Sequence, residues 1–410
     1  MKTLLTSHHR EAQVALKEKN IFDRVLTIFW LLGPFFMLLE RTPGDVWLSI
    51  IAIAFVVRCV LMHDFGWLED FWVKVSFAFL VSCILSGLLS ADPIYSVTEA
   101  LAWFRFPVFA MASIYWLGRD KRLVSAMLIS TGLGLLLMFC ILTAEIIIVG
   151  HVNGRLHWPY GDPVTGNYLA KVGLPVFLIS VAFAVKKVKF ISNLAASFVF
   201  LNLAFSLLSG ERINFLVRSC AGVLAGLICR PDFKRLSLLI LAELLLLAMI
   251  LIAIPGGYDR YVSRFIDQLP TGTHSTYFNA MAPGLMVFES EPIFGIGPAN
   301  YVNLCPEIIG AVSYLECHPH PHNFYIQLLS ETGIIGLVIG AVFLWSIVWR
   351  CFRIYLKERD NVVVATAWIV PFAFFFPVTS LSDFFGQWNN LFMWSSIGLA
   401  MAASNAFSKE

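Results

Sequence analysis

The sequence is dominated by long, uninterrupted runs of apolar residues, and these runs restrict the fold more than any other feature. A run of about 20 apolar residues is long enough to cross a bilayer as a helix. Within lipid every backbone polar group needs a partner in the protein, so only helices and closed β-barrels can cross. The runs do not alternate with polar residues, which predicts helices. Charged residues make up 14% of the chain, against about 25% in an ordinary soluble domain.

The runs predict an all-α polytopic membrane protein with about twelve transmembrane helices and one long loop. The predicted spans are 25–39, 46–62, 74–91, 97–117, 123–149, 166–185, 190–208, 213–229, 236–255, 333–352, 362–380 and 391–406. The chain then has three parts: 1–255 with the N-terminal tail and nine spans, the loop 256–332, and 333–410 with three spans. A loop this long usually has a function, and its apolar stretches 281–288 and 308–315 predict short helices at the membrane surface.

The charges of the connecting segments predict the orientation. One alternating set is strongly basic, and the other set, which includes the long loop, is not. The basic set consists of 119–122, 186–189, 230–235 and 350–359. The positive-inside rule places these segments and both termini in the cytoplasm, in agreement with an even number of spans. The first 20 residues are polar and lack the apolar core of a signal peptide, so they predict a cytoplasmic tail. The net charge of +2 gives no reason to expect a nucleic-acid partner.

The end of the long loop carries the strongest candidate for a catalytic group, His322. This imidazole lies beside the membrane, on a segment that Pro319 and Pro321 stiffen, where a helix is expected to begin. Such a placement predicts a positioned base. Two alternatives stay open. His318 and His320 alternate with His322 and would share one face of an extended segment, as zinc ligands can, or the segment is a fixed, solvated linker.

Arginine residues on the same face are candidates for binding an anion. Arg212 lies in a tight break between two apolar spans, where charge is usually paired or functional. A guanidinium suits bidentate binding of phosphate, although Arg212 could also reach the membrane surface or pair with Glu211. Arg260 and Arg264, the only basic residues of the long loop apart from histidines, are spaced to share one helical face. They could clamp a pyrophosphate or lie on anionic headgroups.

Further polar residues lie where they could reach the same site. Arg155 belongs to the 150–167 loop, which could contact sugar or be plain surface, and Asp383 lies in the last outer turn. Arg105 and Lys171 lie inside predicted spans, where each would face a polar cavity or be buried in a pair.

Two cysteines of the long loop, Cys305 and Cys317, could form a disulfide in an oxidising compartment. The spacing leaves this open. The bond would fix the segment just before His322.

No nucleotide-binding signature is present in the sequence. There is no P-loop and no dinucleotide fingerprint, and the glycines of 295–298 read as a turn. No cofactor is therefore expected, and the energy for a transfer would come preloaded in the substrate, as in a lipid pyrophosphate donor.

Several motifs together resemble the O-antigen ligase family, which shares a signature with O-antigen polymerases and some protein O-oligosaccharyltransferases. The motifs are Ser209 to Arg212, the Pro292 to Gly297 turn, His322-Asn323 with Glu331-Thr332-Gly333 and Gly336, and, more weakly, Leu381-Ser382-Asp383. Many members have an arginine ahead of the Pro/Gly turn. Here 274–279 contains none, and Arg260 or Arg264 would take its place.

The resemblance implies a GT-C-like glycosyltransferase of the bacterial inner membrane, with a periplasmic active site and no nucleotide or obligatory metal. The donor would be a glycan on undecaprenyl pyrophosphate, and the acceptor a sugar hydroxyl of lipid A–core. His322 and Arg212 would be catalytic. The predicted substrate-binding residues are Arg260, Arg264, Asn323, Asp383, His320 and Arg155.

Two other functions stay open at this point. A polymerase of the same family would pass the glycan to another lipid-linked repeat. A lipid-linked glycan transporter would need polar residues along several spans and inverted halves, which are not evident in this sequence.

Overall fold

A computed structural model describes residues 21–152, 154–186, 189–253, 257–268, 275–310, 315–377 and 382–408, and these residues are overwhelmingly helical. They contain no β-strand, and an isolated bridge joins Val152 to Arg155. In chain order the helices are α1 (Ile21–Leu39), α2 (Arg41–Met62), α3 (Phe71–Leu88), α4 (Pro93–Trp103), α5 (Arg105–Tyr115), α6 (Lys121–Ile148), α7 (Thr165–Ala184), α8 (Lys189–Leu208), α9 (Ile213–Ile228), α10 (Phe233–Ala253), α11 (Arg264–Gln268), α12 (Thr276–Ser290), α13 (Tyr301–Ile309), α14 (Phe324–Lys357), α15 (Val362–Ala367), α16 (Ile369–Phe375) and α17 (Gln387–Phe407).

Each of the twelve predicted spans coincides with a helix or with two consecutive helices. Within the described residues, eight helical segments are long and apolar enough to cross a membrane by themselves. These are Arg41–Met62, Phe71–Leu88, Pro93–Arg119, Lys121–Ile148, Thr165–Ala184, Phe190–Leu208, Phe233–Ile252 and Phe324–Lys357. Three further apolar helices are shorter: Arg24–Leu39, Ile213–Ile228 and Val362–Phe375. The chain is therefore an all-α polytopic membrane protein.

Two predicted spans, 97–117 and 362–380, are each broken into two helices. The breaks fall at Phe104 and Trp368, three residues before Pro107 and Pro371. Proline has no backbone N–H, so neither Pro107 nor Pro371 can donate the helical hydrogen bond to the carbonyl four positions earlier. The residues 378–380, at the end of the second predicted span, lie outside the described part of the chain.

The helix after the long loop begins directly after the His322 segment, as the sequence predicts, and ahead of the predicted span 333–352. Helix α14 begins at Phe324, because the Asn323 side chain accepts hydrogen bonds from the backbone N–H groups of Tyr325 (2.9 Å) and Ile326 (3.2 Å). This is a helix N-cap. The residues 324–332, which the sequence placed between His322 and the predicted span 333–352, thus belong to the same helix as that span.

A backbone joint holds α14 against the Pro292 to Gly297 turn. The backbone N–H groups of Ile296 and Gly297 donate to the carbonyl oxygens of Ser330 (3.1 Å) and Glu331 (2.8 Å). The N–H of Ile334 donates to the carbonyl oxygen of Pro292 (3.0 Å). The buried Glu331 carboxylate accepts from the N–H groups of Ala299 (3.0 Å) and Tyr301 (3.1 Å).

Gly333 makes this close approach possible. It lies inside α14 with φ 64° and ψ −170°, a conformation that residues other than glycine rarely adopt. A Cβ atom there would lie 2.2 Å from the Ile293 carbonyl oxygen. Two of the family-like motifs therefore fix the backbone that carries His322.

Replacing Gly333 with alanine should destabilise the protein by more than the cost of forcing alanine into this backbone conformation. That cost is about 1–3 kcal/mol, and the collision with Ile293 adds to it. Gly310→Ala is the matched control, because Gly310 has a similar backbone (φ 57°, ψ −139°) but open space around the position of its missing Cβ. Thermal unfolding in nanodiscs measures both, and equal losses would contradict the role of the joint.

The last helix occupies the centre of the bundle. Nearly all of α17 is buried, including the polar side chains of Asn389, Asn390 and Ser396, and it packs against α5, α7 and α15. A helix that faces protein instead of lipid has no need of a uniformly apolar surface. This explains why α17 is less hydrophobic than the other spans.

The long loop contains short helices, as predicted. The stretch 281–288 lies within α12. The second predicted stretch, 308–315, overlaps only the end of α13, at Ile308 and Ile309, and 311–314 lie outside the described residues.

Candidate active site

Two adjoining cavities lie where the loops 154–164, 209–212 and 315–323 and the short helical segment 257–263 meet the beginnings of α7 and α12. The first, called the histidine cavity, has a volume of about 440 Å³, and the second, called the arginine cavity, about 360 Å³. The histidine cavity is lined by Arg155, Val164, Asn167, Lys171, Glu211, Arg212, Ile213, Asn214, Thr276, Tyr277, Ala280, His318, His320, His322 and Ser382. The arginine cavity is lined by Val152, Arg155, His157, Pro163, Arg212, Arg260 and Arg264.

The three histidines gather on one wall of the histidine cavity. The centroid of the His322 ring lies 4.4 Å from that of His320 and 5.8 Å from that of His318. Tyr277, which the sequence did not single out, lies edge-on to His322 at 6.5 Å. In the described residues no group of three ligand side chains is arranged to hold a metal ion.

Burial keeps His322 in its neutral form. Burial, with smaller contributions from the neighbouring His320 and His318, lowers the pKa of His322 to about 4. The pKa of His320 is likewise lowered to about 4, mainly by burial. A neutral imidazole has a ring nitrogen that can accept a proton, which is the state a base requires.

The segment that carries His322 is held from both sides. Before it, Cys317 forms a disulfide with Cys305 of α13, with 6.0 Å between the Cα atoms. After it, Asn323 caps α14 and donates from Nδ2 to the carbonyl of Pro377 (2.8 Å). His322 itself has a left-handed backbone, φ 57°, which is uncommon outside glycine. Asn323 lines neither cavity and instead fixes the position of its neighbour.

Removing the disulfide should loosen the His322 segment. The bond closes a loop of 12 residues, and a loop of about 15 residues is worth about 3 kcal/mol in the chain-entropy account. We expect the double variant Cys305→Ser, Cys317→Ser to unfold at a lower temperature than the wild type. Thermal unfolding with and without a reducing agent measures this. A reducing agent that lowers the midpoint of the double variant as much as that of the wild type would contradict it.

Arg212 is held in place by an interlocked turn. Its Nη1 donates to the Arg260 carbonyl (3.1 Å), and Arg260 Nη2 donates in turn to the Gly210 carbonyl (2.7 Å). Gly210 has φ 80°, and a Cβ atom there would lie 2.5 Å from the Gly154 carbonyl oxygen. Burial lowers the pKa of Arg212, although a guanidinium stays charged in proteins.

The other predicted arginines lie around Arg212. Arg155 borders both cavities and pairs with Glu211 (3.8 Å). Arg264 lies at the exposed edge of the arginine cavity and pairs with Asp259 (2.9 Å). All the charged side chains that line the arginine cavity are arginines.

Asp383 lies behind the histidine cavity instead of lining it. Its carboxylate accepts from Gln327 Nε2 (2.5 Å) and from the Phe385 N–H (3.0 Å), and burial raises its pKa. Its neighbour Ser382 borders the cavity, whereas Leu381 of the same motif lies outside the described residues.

Arg105 and Lys171, both inside predicted spans, have different surroundings. Arg105 lines neither cavity and pairs with Asp45 (3.0 Å), a partner that the sequence did not reveal. Lys171 is buried in α7 and lines the histidine cavity. Asn167, four residues earlier, also lines this cavity. The spacing was the sequence signal that Lys171 faces the same side of the helix as Asn167, because residues so spaced share a helix face.

The comparisons with known proteins agree with the motifs. A search of curated proteins gives no match to the chain. Among protein families, residues 197–341 match the model of the O-antigen ligase family. This range contains Arg212, Arg260, His322 and the Glu331-to-Gly333 joint, while Arg155 and Lys171 lie before it. The chain is thus similar to the O-antigen ligase family over residues 197–341, within a polytopic membrane protein.

Proposed function

We propose that the protein is an O-antigen ligase, which transfers a glycan from undecaprenyl pyrophosphate to a sugar hydroxyl of lipid A–core. The observation that carries the proposal is that His322 and Arg212 line one cavity. A base and a phosphate-binding cation are then close enough to act on a single donor molecule. The family match over residues 197–341 supports the reaction class.

The reaction proceeds by direct displacement. The neutral His322 ring accepts the proton of the acceptor hydroxyl as its oxygen forms a bond to the anomeric carbon. The bond between that carbon and the pyrophosphate oxygen breaks, and its electrons leave with undecaprenyl pyrophosphate. Attack opposite to the leaving group inverts the anomeric centre. The protonated imidazole then returns its proton to solvent.

The arginines stabilise the leaving group. Arg212 and Arg155 border both cavities, so a diphosphate bound there faces the histidine wall. Charge that develops on the leaving pyrophosphate is stabilised by positive groups already in position. Arg260 orients Arg212 through its carbonyl, and Arg264 adds positive charge from the arginine cavity.

We infer a GT-C-like arrangement of about twelve spans, with both termini in the cytoplasm of a bacterial cell and the protein in its inner membrane. The basic connections, such as 230–235, support this orientation. Loops of the opposite set contain Arg155, Arg212 and His322. The two cavities then lie on the periplasmic face. The donor reaches them from the outer leaflet.

Reconstitution with a purified lipid-pyrophosphate glycan, with and without lipid A–core, tests the proposal. A ligase transfers the glycan only when core is present. Chain growth without core would instead establish the polymerase, the second function that the family match favours. Transfer to neither acceptor would reject both.

A further inference from the structure

Lys171 is a buried cation that faces the histidine cavity. Its relative exposure is 2%, and it lies two residues before Gly173 in α7, within a span long enough to cross the membrane. Burying an ammonium group is costly unless a counter-charge and hydrogen bonds compensate it. A lysine in this position therefore needs an explanation from its neighbours or from a ligand.

The neighbours compensate it only in part. The Nζ group donates to Asn167 Oδ1, one hydrogen bond for a group with three donors. The cavity carboxylate, Glu211, is shared with Arg155 (3.8 Å) and accepts from Asn214 (2.9 Å). Within the described part of the chain, no carboxylate forms a direct ion pair with Lys171.

The position of Lys171 complements that of Arg212. Lys171 lies four residues, or about 6 Å along the helix axis, beyond Asn167, which also lines the cavity. Arg212 and Arg155 border the same cavity where it joins the arginine cavity. A ligand with two linked anionic groups could therefore contact an arginine with one group and the ammonium with the other.

We propose that Lys171 is the counter-charge for the second phosphate of a lipid-linked diphosphate, and that it makes this cavity select diphosphates over monophosphates. The inference rests on the proposed function, because it takes the donor to be a lipid diphosphate. A lysine suits this task, since its ammonium is a compact charge that can serve one phosphate group.

The test measures binding, which does not depend on transfer. The protein is placed in nanodiscs of neutral lipid that contain undecaprenyl pyrophosphate or undecaprenyl phosphate, and the shift of the unfolding midpoint is followed against lipid content. We expect Lys171→Met to weaken binding of the pyrophosphate by about tenfold or more, the value of a charge-assisted hydrogen bond. Binding of the monophosphate should change by less than about threefold.

Lys186→Met is the matched control. Lys186 follows the other end of α7 and lines a separate cavity with Arg230 and Arg359. Pyrophosphate binding should be the same as in the wild type. A loss as large as that of Lys171→Met would overturn the assignment, because it would show a general effect of charge.

The unliganded protein gives a second readout. Removing a buried charge that its neighbours compensate only in part should leave the unfolding midpoint unchanged or raise it. A lower midpoint together with full pyrophosphate affinity would make Lys171 a structural residue and overturn the inference. If the wild type binds neither undecaprenyl pyrophosphate nor undecaprenyl phosphate, the proposed function itself is rejected.

Asn167→Asp tests the same idea without removing the lysine. The new carboxylate would lie next to Nζ and give Lys171 an internal counter-ion. We expect a higher midpoint without ligand and pyrophosphate binding weaker by about tenfold. Unchanged pyrophosphate affinity in this variant would contradict the proposal even if Lys171→Met does not fold.

Discussion

Replacing His322 with asparagine should reduce glycan transfer at least a hundredfold while the protein still inserts and folds. A positioned base typically contributes about 10²–10⁴-fold to a rate. Asparagine cannot accept the proton, but it tolerates the left-handed backbone that His322 adopts at φ 57°. His322→Ala should lose at least as much, because it also strains that backbone. Transfer rates from the reconstituted assay and thermal unfolding measure the two effects separately.

Comparing the two variants separates the base from the backbone. If His322→Asn retains transfer and His322→Ala loses it, the conformation of the segment matters and the imidazole does not. Unchanged transfer by both variants would remove His322 from the mechanism. A loss by both with normal unfolding is the result that supports a base.

The pH dependence gives an independent check on His322. Burial lowers its pKa to about 4, so the base is neutral at pH 7 and stays neutral well below the usual range for histidine. We therefore expect kcat/KM, which reports the free enzyme, to fall as the pH drops through about 4. An anionic donor opposite His322 favours the protonated ring, so the fall in kcat should come at higher pH. A fall of kcat/KM near the ordinary histidine pKa would show a solvated ring.

Replacing Arg212 with lysine or glutamine should lower transfer by about 10²–10³-fold, the usual cost of removing one group that stabilises a developing negative charge. Lysine should not rescue it, because a single ammonium lacks the planar pair of donors that holds two phosphate oxygens. Arg212 is also held by the Arg260 carbonyl and lies on the boundary of both cavities. Steady-state rates at saturating and limiting donor measure the effect.

Arg105→Lys is the control for Arg212. Arg105 pairs with Asp45 and lines neither cavity, so its replacement should change transfer by less than about fivefold. A loss at Arg212 that lysine restores fully would contradict bidentate binding. An equal loss at Arg105 would show that the assay responds to folding alone.

The helices of this protein could be predicted because their cause is local. A run of apolar residues in lipid has no alternative to a helix that satisfies its own backbone, so each of the twelve runs corresponds to helix. The predicted span of α14 starts only at 333 because the segment before Gly333 contains Gln327 and Glu331, which resemble loop residues. Both are buried in the structure, where partners distant in sequence satisfy them.

The roles of single polar residues were harder to predict. Asn323 and Asp383 were expected to touch substrate, yet the first caps α14 and the second is bonded to Gln327 behind the cavity. Lys171 stood out only as a charge inside a span, and its cavity is formed by segments from across the chain. Sequence spacing orders residues along one helix, and it cannot show what packs against that helix.

The sequence by itself determined the helical class, the alternation of strongly basic connections with connections that are not basic, and the chemistry available on one face: imidazole and guanidinium groups. Those properties follow from the residues of each short segment alone and do not depend on contacts with the rest of the chain. Only the tertiary structure decided that His322, Arg212 and Lys171 border one cavity, because these residues lie on three separate segments. Their meeting depends on backbone contacts such as Gly333 with Ile293, and on which helices pack together, which no single segment encodes.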